Sequence, residues 1–159
     1  MTQALSFALL PQSPPQEANS DSTEPMRVIV AGSRKFTDQM TAFHELDRLF
    51  EGKAVEVVSG RAEGADLLGE LWAASRKQGL KCFPANWDLH GKAAGYLRNI
   101  EMANYAREQE GSTLVAFWNG TSRGTAHMIR IAQDMGLFVI IISVKDTPVA
   151  PPATLPYGL

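Results

Sequence analysis

Five short apolar runs alternate with stretches whose apolar residues recur at helical spacing. This alternation constrains the fold more than any other feature of the sequence. The apolar runs are rich in β-branched residues, which is typical of strands covered on both faces. They span residues 27–31, 54–59, 80–83, 113–118 and 137–144, and the helices are predicted over 37–50, 64–78, 96–109 and 124–135. Strands that alternate with helices predict a three-layer α/β fold around a mostly parallel five-stranded sheet.

The connections between the strands limit the order in which they can lie. Right-handed crossovers leave few topologies, and we expect the doubly wound order 3-2-1-4-5. In that order the direction of winding reverses between strands one and four. Ligands of such sheets bind at the carboxyl ends of the strands beside the reversal. The turns after strands one, two and four are therefore predicted to meet at one crevice.

The helical spacing also predicts which residues pack inward. The helix over 64–78 is expected to bury Leu67, Leu71 and Ser75 with Leu68 and Trp72 alongside, and to end at Gly79. The helix over 124–135 is expected to bury Thr125, Met128, Ile129, Ala132 and Met135. The helix over 96–109 is expected to pack through Leu97, Ile100 and Ala103. Arg98 and Asn99 then lie off the packed face, near the mouth of the crevice.

The two ends of the chain differ in composition from the region between them. Residues 1–25 hold four prolines among polar residues, and residues 145–159 hold four more. Such segments bury too little apolar surface to offset the entropy lost on ordering. We therefore predict one domain over 26–144, with an irregular tail before it and an irregular, Pro-rich tail after it.

Charge and cysteine content bear on partners and location. The net charge is −2 and the isoelectric point is about 5.9, which disfavours a non-specific nucleic-acid binder. A single cysteine, Cys82, excludes an internal disulfide framework and suits a reducing compartment. No apolar run approaches the ~20 residues of a membrane span. These features predict a cytoplasmic protein that has neither a membrane nor a nucleic acid as its partner.

The stretch from Ser59 to Asp66 combines a strand end, two glycines and a helix start. Gly60 and Gly64 lack Cβ atoms where a ligand could approach the backbone. Asp66 lies in the first helical turn, where the helix dipole stabilises a carboxylate even without a ligand. As a ligand residue it would accept from a ribose hydroxyl or a base edge. We assign this stretch to the ribose or base side of the crevice.

Two other strand-ending turns carry groups suited to phosphate. Gly32, Ser33 and Arg34 follow the first strand but match neither G-x-G-x-x-G nor the P-loop pattern. There Ser33 and Arg34 either bind a phosphate or form an ordinary turn with Arg34 in solvent. After the fourth strand comes the better phosphate cradle, which a simple helix cap would also explain. Its predicted ligand residues are Asn119, Gly120, Ser122, Arg123, Gly124 and Thr125.

The remaining candidates are an arginine, an amide and an aromatic residue. Arg98 and Asn99 begin the fourth predicted helix at the crevice, and Trp87, in the preceding loop, is the best candidate for stacking on a nucleobase. The three histidines and Cys82 have no metal-ligand spacing, so no metal site and no cofactor are predicted.

Five motifs, in order, resemble a known family. They are VIVAGSRKFTD (28–38), VVSGRAEGAD (57–66), FPANW (83–87), GKAAGYLRN (91–99) and FWNGTSRGT (117–125). They look like the YspA (cpYpsA-related) branch of the SLOG superfamily, which also includes the DprA/Smf and Lonely Guy (LOG) proteins. The resemblance covers about residues 26–144. It implies a Rossmann-like fold that binds a nucleotide or a nucleotide-derived ligand.

The Lonely Guy phosphoribohydrolases can be compared motif by motif. Their Arg-Lys-x-x-Met helix motif is similar to residues 98–102, so Arg98 matches their catalytic arginine. Of their P-G-G-x-G-T-x-x-E motif, the Gly-Thr pair matches here, but Met128 stands where the catalytic glutamate would be. N-glycosidic hydrolysis needs a carboxylate. Asp66 or Glu101 would have to supply it.

Three hypotheses follow from these observations, and the weakest is DNA handling in the manner of DprA, because the chain is acidic and shows no evident extra DNA-binding module. The leading hypothesis is a nucleotide-binding sensor or ligand-handling protein, with the phosphate on 120–125 and 32–34. The alternative is a phosphoribohydrolase that uses Arg98 and a relocated carboxylate such as Asp66 as catalytic residues. The resemblance is also compatible with a homodimer, since related superfamily members associate through helices.

Overall fold

The computed structural model describes residues 24–148, and its elements follow the predicted alternation. The strands are β1 (Met26–Gly32), β2 (Val55–Ser59), β3 (Gly79–Cys82), β4 (Thr113–Trp118) and β5 (Phe138–Ser143). The helices are α1 (Gln39–Phe50), α2 (Ala65–Ser75), the short α3 (Trp87–His90), α4 (Ala94–Arg107) and α5 (Arg123–Asp134). Most of both predicted tails, residues 1–23 and 149–159, lies outside the described residues.

The strands form one parallel sheet in the order β3-β2-β1-β4-β5, which confirms the predicted topology. β1 lies at the centre, and its Ile29 is in register with Val58 of β2 and Leu114 of β4. The winding reverses between β1 and β4. The carboxyl ends of β1, β2 and β4 are therefore neighbours, and the turns that follow them lie at one edge of the sheet.

Each face of the sheet is covered by two helices, so the molecule has three layers. Val28 and Val30 of β1 pack on one face with residues of α1 and α2. Ile29 and Ala31 pack on the other face with residues of α4 and α5. This alternation explains why β1 is apolar throughout its central part, Val28 to Ala31. Within residues 24–148, no helix is both long and apolar enough to cross a membrane.

The predicted packed face of α2 was wrong in part. Leu68 and Trp72 are buried as expected, but Leu67 and Leu71 are 48% and 44% exposed. Ser75 is exposed as well. The helix turns its smaller residues to the sheet: a Cβ at Gly69 would lie 2.7 Å from the Val30 Cβ. The helix also ends earlier than predicted.

The last residue of α2 is Ser75, and Lys77 takes the left-handed conformation with a φ of 55°. Gly79 does not end the helix but begins β3. Gly79 was predicted as the end of the helix because glycine adopts the left-handed conformation at the lowest cost in free energy.

The predicted packed face of α4 was also wrong in part. Ala103 is buried as expected, but Leu97 and Ile100 are 38% and 37% exposed. The buried face carries Arg98 and Asn99 instead, which are 9% and 5% exposed. Apolar spacing alone could not identify this face. Its polar residues can be buried because they form hydrogen bonds across the crevice.

The other two long helices agree with their patterns. Asp38 caps α1 by accepting a hydrogen bond of 3.1 Å from the Thr41 N–H. α5 buries Thr125, Met128, Ile129 and Ala132, as predicted. Met135, which was also expected inside, follows the last helical residue and is half-buried. The segment before α4, where the sequence predicted a loop around Trp87, instead forms α3 and a 3-10 turn (Gly91–Ala93).

Candidate functional site

A cleft of about 460 Å³ opens at the carboxyl ends of the central strands, between the turns after β1 and β4 and the start of α4. Ten of the residues predicted for the site line it. They are Gly32, Ser33, Arg34, Asp66, Arg98, Asn99, Asn119, Ser122, Gly124 and Thr125. Ser59, Gly60, Gly64, Gly120 and Arg123 do not belong to the lining.

Gly64 holds two of the turns together rather than facing the cleft. Its φ is 75°, and a Cβ there would lie 2.3 Å from the Ser33 carbonyl oxygen. The neighbouring Ala65 N–H donates to the same carbonyl at 3.2 Å. The turn after β1 and the start of α2 are thus in direct backbone contact, which only glycine permits at position 64.

Gly60 provides the space that Arg98 occupies. The Arg98 guanidinium reaches from α4 to the turn after β2 and donates a hydrogen bond to the Gly60 carbonyl. A Cβ at Gly60 would lie 2.5 Å from Arg98 Nη1. Arg98 Nε also donates to Asn99 Oδ1 at 3.2 Å, and Asn99 Nδ2 donates to the Gly124 carbonyl at 3.2 Å. One network therefore connects α4 with the turns after β2 and β4.

Asp66 is a buried carboxylic acid in the cleft wall. Burial raises its pKa to about 6, although the Arg98 guanidinium and a hydrogen bond from the Ala62 N–H both favour the charged form. Burial in turn lowers the pKa of Arg98, and the Asp66 carboxylate opposes that change. The two side chains are therefore electrostatically coupled. Asp66 can change its protonation state close to neutral pH.

Ser59 lies beneath the cleft in a separate polar network. It is fully buried, and its hydroxyl donates to Glu70 Oε1 at 2.7 Å. Arg61 Nη1 donates to Glu70 Oε2 at 2.9 Å. These bonds fix the turn after β2 on the helix that follows it. The contribution of Ser59 in this structure is to hold that turn in place.

The turn after β4 is organised by Asn119. Its Oδ1 accepts hydrogen bonds from the Thr121 and Ser122 N–H groups at 2.9 and 2.8 Å. Ser122 then caps α5, and its hydroxyl lies 2.9 Å from that of Thr125. Two of the N–H groups expected for a phosphate cradle are therefore satisfied by Asn119.

The N–H groups in the first turn of α5, at Arg123 and Gly124, have no intrahelical acceptor and can serve a ligand. A Cβ at Gly124 would meet open space, so the backbone is accessible there. The Arg123 side chain, by contrast, is exposed and lines a neighbouring depression with His127 and Arg130. The Arg123 side chain therefore does not line the cleft.

Trp87 lies at the mouth of the cleft, where a residue that stacks on a nucleobase would have to be. It is 50% exposed, and the Arg34 guanidinium carbon lies 5.8 Å from the centre of its ring. Lys35, Lys92, Tyr96 and Asp146 also line the cleft but were not selected from the sequence. Lys92 and Tyr96 could have been found, because both belong to the motif that contains Arg98. Asp146 lies in a segment predicted to be irregular and gave no signal.

Cations outnumber carboxylates in the cleft wall. Its lining contains four basic side chains, Arg34, Lys35, Lys92 and Arg98, and two acidic ones, Asp66 and Asp146. The whole chain has a net charge of −2, so positive charge is concentrated here. A basic cleft of this kind raises the local concentration of anions.

The motifs that build this cleft also connect the chain to known proteins. A family model described as "YspA, cpYpsA-related SLOG family" matches residues 26–90. The Gene 61 protein of Mycobacterium phage D29 is 40% identical over 121 residues, which cover 72% of this chain and 94% of that protein. The chain belongs to the YspA, cpYpsA-related SLOG family. This confirms the resemblance drawn from the motifs.

The fold of this family member is shared with a DNA-processing protein. The X-ray structure of DNA processing protein A (DprA) from Streptococcus pneumoniae aligns with a TM-score of 0.59 over 77% of this chain, at 17% sequence identity. The chain spans about half of the DprA chain, 52%. At this identity the comparison establishes the Rossmann-like fold.

The structure also places the two carboxylates considered for a Lonely Guy-type reaction. Met128 is buried and lines the cleft at the position where the Lonely Guy motif has its glutamate. Glu101 is exposed on α4 and lies outside the cleft lining. Asp66 lies in the cleft with Arg98. Of these two carboxylates, only Asp66 has the required position.

Proposed function

We propose that the cleft binds a nucleotide or a nucleotide-derived ligand. The observation that carries the proposal is the excess of basic over acidic side chains in a cleft at the topological reversal of the sheet. Ligands of doubly wound sheets bind at this position. An anionic ligand with an aromatic part matches both the basic wall and the exposed ring of Trp87.

The phosphate would lie at the start of α5. The Ser122 and Thr125 hydroxyls and the N–H groups of Arg123 and Gly124 can donate to its oxygens, and the helix dipole favours its charge. Arg34, across the cleft, can add a bidentate interaction. The ribose or base would then extend toward α4, where Asp66 accepts from a hydroxyl or an amino group and Trp87 stacks on the base.

Calorimetric titration of the purified protein with a panel of nucleosides and nucleotides tests this proposal. We expect nucleotides to bind and the matching nucleosides to bind at least tenfold more weakly, since a charge-assisted contact contributes on the order of 1.5–3 kcal/mol. Arg34→Ala should weaken nucleotide binding, whereas Arg107→Ala, at the exposed far end of α4, should not. Failure of every nucleotide in the panel to bind would refute the proposal.

A second function, N-glycosidic hydrolysis of a nucleoside monophosphate, is favoured by the pairing of Asp66 with Arg98. In this reaction the bond between the ribose C1′ and the base nitrogen breaks, water supplies the hydroxyl at C1′, and a proton goes to the base. A carboxyl group with a pKa of about 6 can supply that proton or activate the water near neutral pH. Arg98 would hold the phosphate or stabilise developing negative charge.

Release of free base from each nucleotide, measured by chromatography, separates turnover from binding alone. If the protein hydrolyses nucleotides, the Asp66→Asn variant should no longer release base but should still bind the nucleotide. Binding without base release in the wild-type protein would leave the ligand-handling function and exclude hydrolysis of the nucleotides tested.

A third possibility is that the cleft binds DNA, as the likeness to the DprA proteins suggests. The DprA structure with the same fold is 17% identical in sequence, and the net charge of this chain is −2. A single-stranded oligonucleotide should therefore compete poorly with a mononucleotide for the cleft. Tight, salt-dependent oligonucleotide binding would instead favour DNA handling.

A further inference from the structure

We propose that Asp146 determines which ligands the cleft accepts, by excluding phosphate from the corner between the turns after β1 and β4. This inference rests on the proposed nucleotide-binding function and makes it more specific. It implies a ligand with a single phosphate at the α5 end and a neutral, hydrogen-bond-donating group, such as a sugar hydroxyl, near Asp146.

The Asp146 carboxylate lies directly between the two turns. Its Oδ1 accepts a hydrogen bond of 2.6 Å from the Ser33 hydroxyl and one of 2.9 Å from Asn119 Nδ2. Ser33 is 3% exposed, so its hydroxyl is built into the wall of the cleft. From the sequence, Ser33 and Asn119 were both expected to contact a phosphate. The protein places its own anion there.

The segment after β5 holds Asp146 in this position. Before it, the Val144 N–H donates to the Trp118 carbonyl at 3.0 Å. After it, the Thr147 N–H donates to the Lys35 carbonyl at 2.9 Å, and the Thr147 hydroxyl accepts from the Thr37 N–H at 2.9 Å. Bonds on both sides of Asp146 join it to the ends of β4 and β1. The carboxylate is therefore a fixed part of the corner.

The donors of the corner are already engaged by Asp146. Ser33 has one hydroxyl proton, and it is directed at Asp146. Asn119 uses Oδ1 for two backbone N–H groups and Nδ2 for Asp146. The same two bonds lower the pKa of Asp146, so it is charged at neutral pH. A phosphate entering the corner would lose these donors and be repelled by the carboxylate.

A hydroxyl group meets the opposite situation. Both protein donors bond Oδ1, and Asp146 lines the cleft, so Oδ2 can accept a hydrogen bond from a ligand. A carboxylate is an acceptor only, which makes it selective for donors. The corner therefore favours a sugar hydroxyl over a second or third phosphate.

Asp146→Asn tests the inference, because the amide oxygen can still accept from Ser33 and Asn119 while the charge is removed. The probes are inorganic pyrophosphate, a nucleoside monophosphate and the matching triphosphate, each titrated by calorimetry. Asp134→Asn is the matched control, since it removes the same charge at the exposed far end of α5. Asp146→Ala and thermal melts of all the variants check that the fold is retained.

We expect Asp146→Asn to bind pyrophosphate and the triphosphate roughly tenfold more tightly than the wild type, which is the order of magnitude for removing one like charge a few ångströms away. Monophosphate affinity and the Asp134→Asn control should change by much less. A folded Asp146→Asn variant that binds pyrophosphate and the triphosphate no more tightly than the wild type would overturn the inference. A failure of the nucleotide-binding proposal can be told apart from this outcome, because the wild-type protein would then bind no nucleotide. The comparison of pyrophosphate binding between Asp146→Asn and the wild type would still decide the role of Asp146.

Discussion

Asp66→Asn should make the protein more stable at neutral pH, although it removes a residue of the candidate site. The Asp66 side chain is 4% exposed, and burial raises its pKa from 3.8 to about 6. The folded protein therefore binds the Asp66 proton more tightly than the unfolded chain does. As the pH rises from about 4 to about 6, the unfolded chain gives up this proton first, and stability falls.

The difference between the two pKa values sets the size of the effect. One pKa unit corresponds to about 1.4 kcal/mol, so an increase from 3.8 to about 6 corresponds to about 3 kcal/mol lost above pH 7. Asparagine resembles the protonated acid in shape and has no charge. Relative to the wild type, the variant should gain on the order of 3 kcal/mol at pH 7.5 and nothing below about pH 4.

Urea denaturation followed by tryptophan fluorescence, at intervals from pH 4 to pH 8, measures this difference. We expect the gap between Asp66→Asn and the wild type to open between about pH 4 and pH 6.5 and then stay constant. Asp134→Asn, which is exposed, should differ from the wild type by less than about 0.5 kcal/mol throughout. A gap that does not depend on pH, or a variant that is less stable at pH 7.5, would refute this electrostatic account of Asp66.

Three glycine substitutions test the close contacts around the site. Gly69→Ala should destabilise the protein by about 1–3 kcal/mol in urea denaturation, because its Cβ would lie 2.7 Å from that of Val30; no loss would show that this contact relaxes freely. Gly124→Ala, which meets open space in the first turn of α5, should instead stabilise by up to about 0.5 kcal/mol, and a marked loss would reveal a hidden contact. Gly60→Ala should displace Arg98, whose Nη1 would be 2.5 Å from the new Cβ, and weaken nucleotide binding in calorimetry; unchanged affinity would argue against a ligand role for Arg98.

The strand order could be predicted because all the strands except the short β3, which contains Lys81, are strongly apolar. β4, for example, was predicted with the bounds the structure has, Thr113–Trp118. Strands with this pattern, joined by helices, leave little choice of topology. The position of the cleft then followed from the winding rule rather than from any single motif.

The helix faces were harder to predict where polar residues are buried. α4 carries Arg98 and Asn99 inward because their hydrogen bonds to the turns after β2 and β4 replace those with water. Apolar spacing gives no information about such bonds. In α2 the difficulty was a different one, since Gly69 packs against Val30 and the buried side chains are those of Leu68 and Trp72 rather than Leu67 and Leu71.

Asp146 could not have been predicted as a site residue, because it depends on contacts between distant parts of the chain. It is separated from Ser33 by 113 residues in sequence and follows the last strand in a segment with no regular pattern. Only the folding of that segment over the ends of β1 and β4 brings its carboxylate to the cleft. Ser33 and Asn119 were predicted as phosphate ligands, whereas in this structure their donors face a carboxylate.

Nucleotide binding at the carboxyl edge of the sheet can be tested by mapping amide chemical shifts during a nucleotide titration. We expect the shifted amides to cluster at Arg34, Ser122 and Gly124, which line the cleft. The amides of Gly52 and Gly136, in turns that precede strands at the opposite edge, should stay in place. Shifts concentrated at that opposite edge, or no saturable shifts with any nucleotide, would show that the nucleotide does not bind in the cleft.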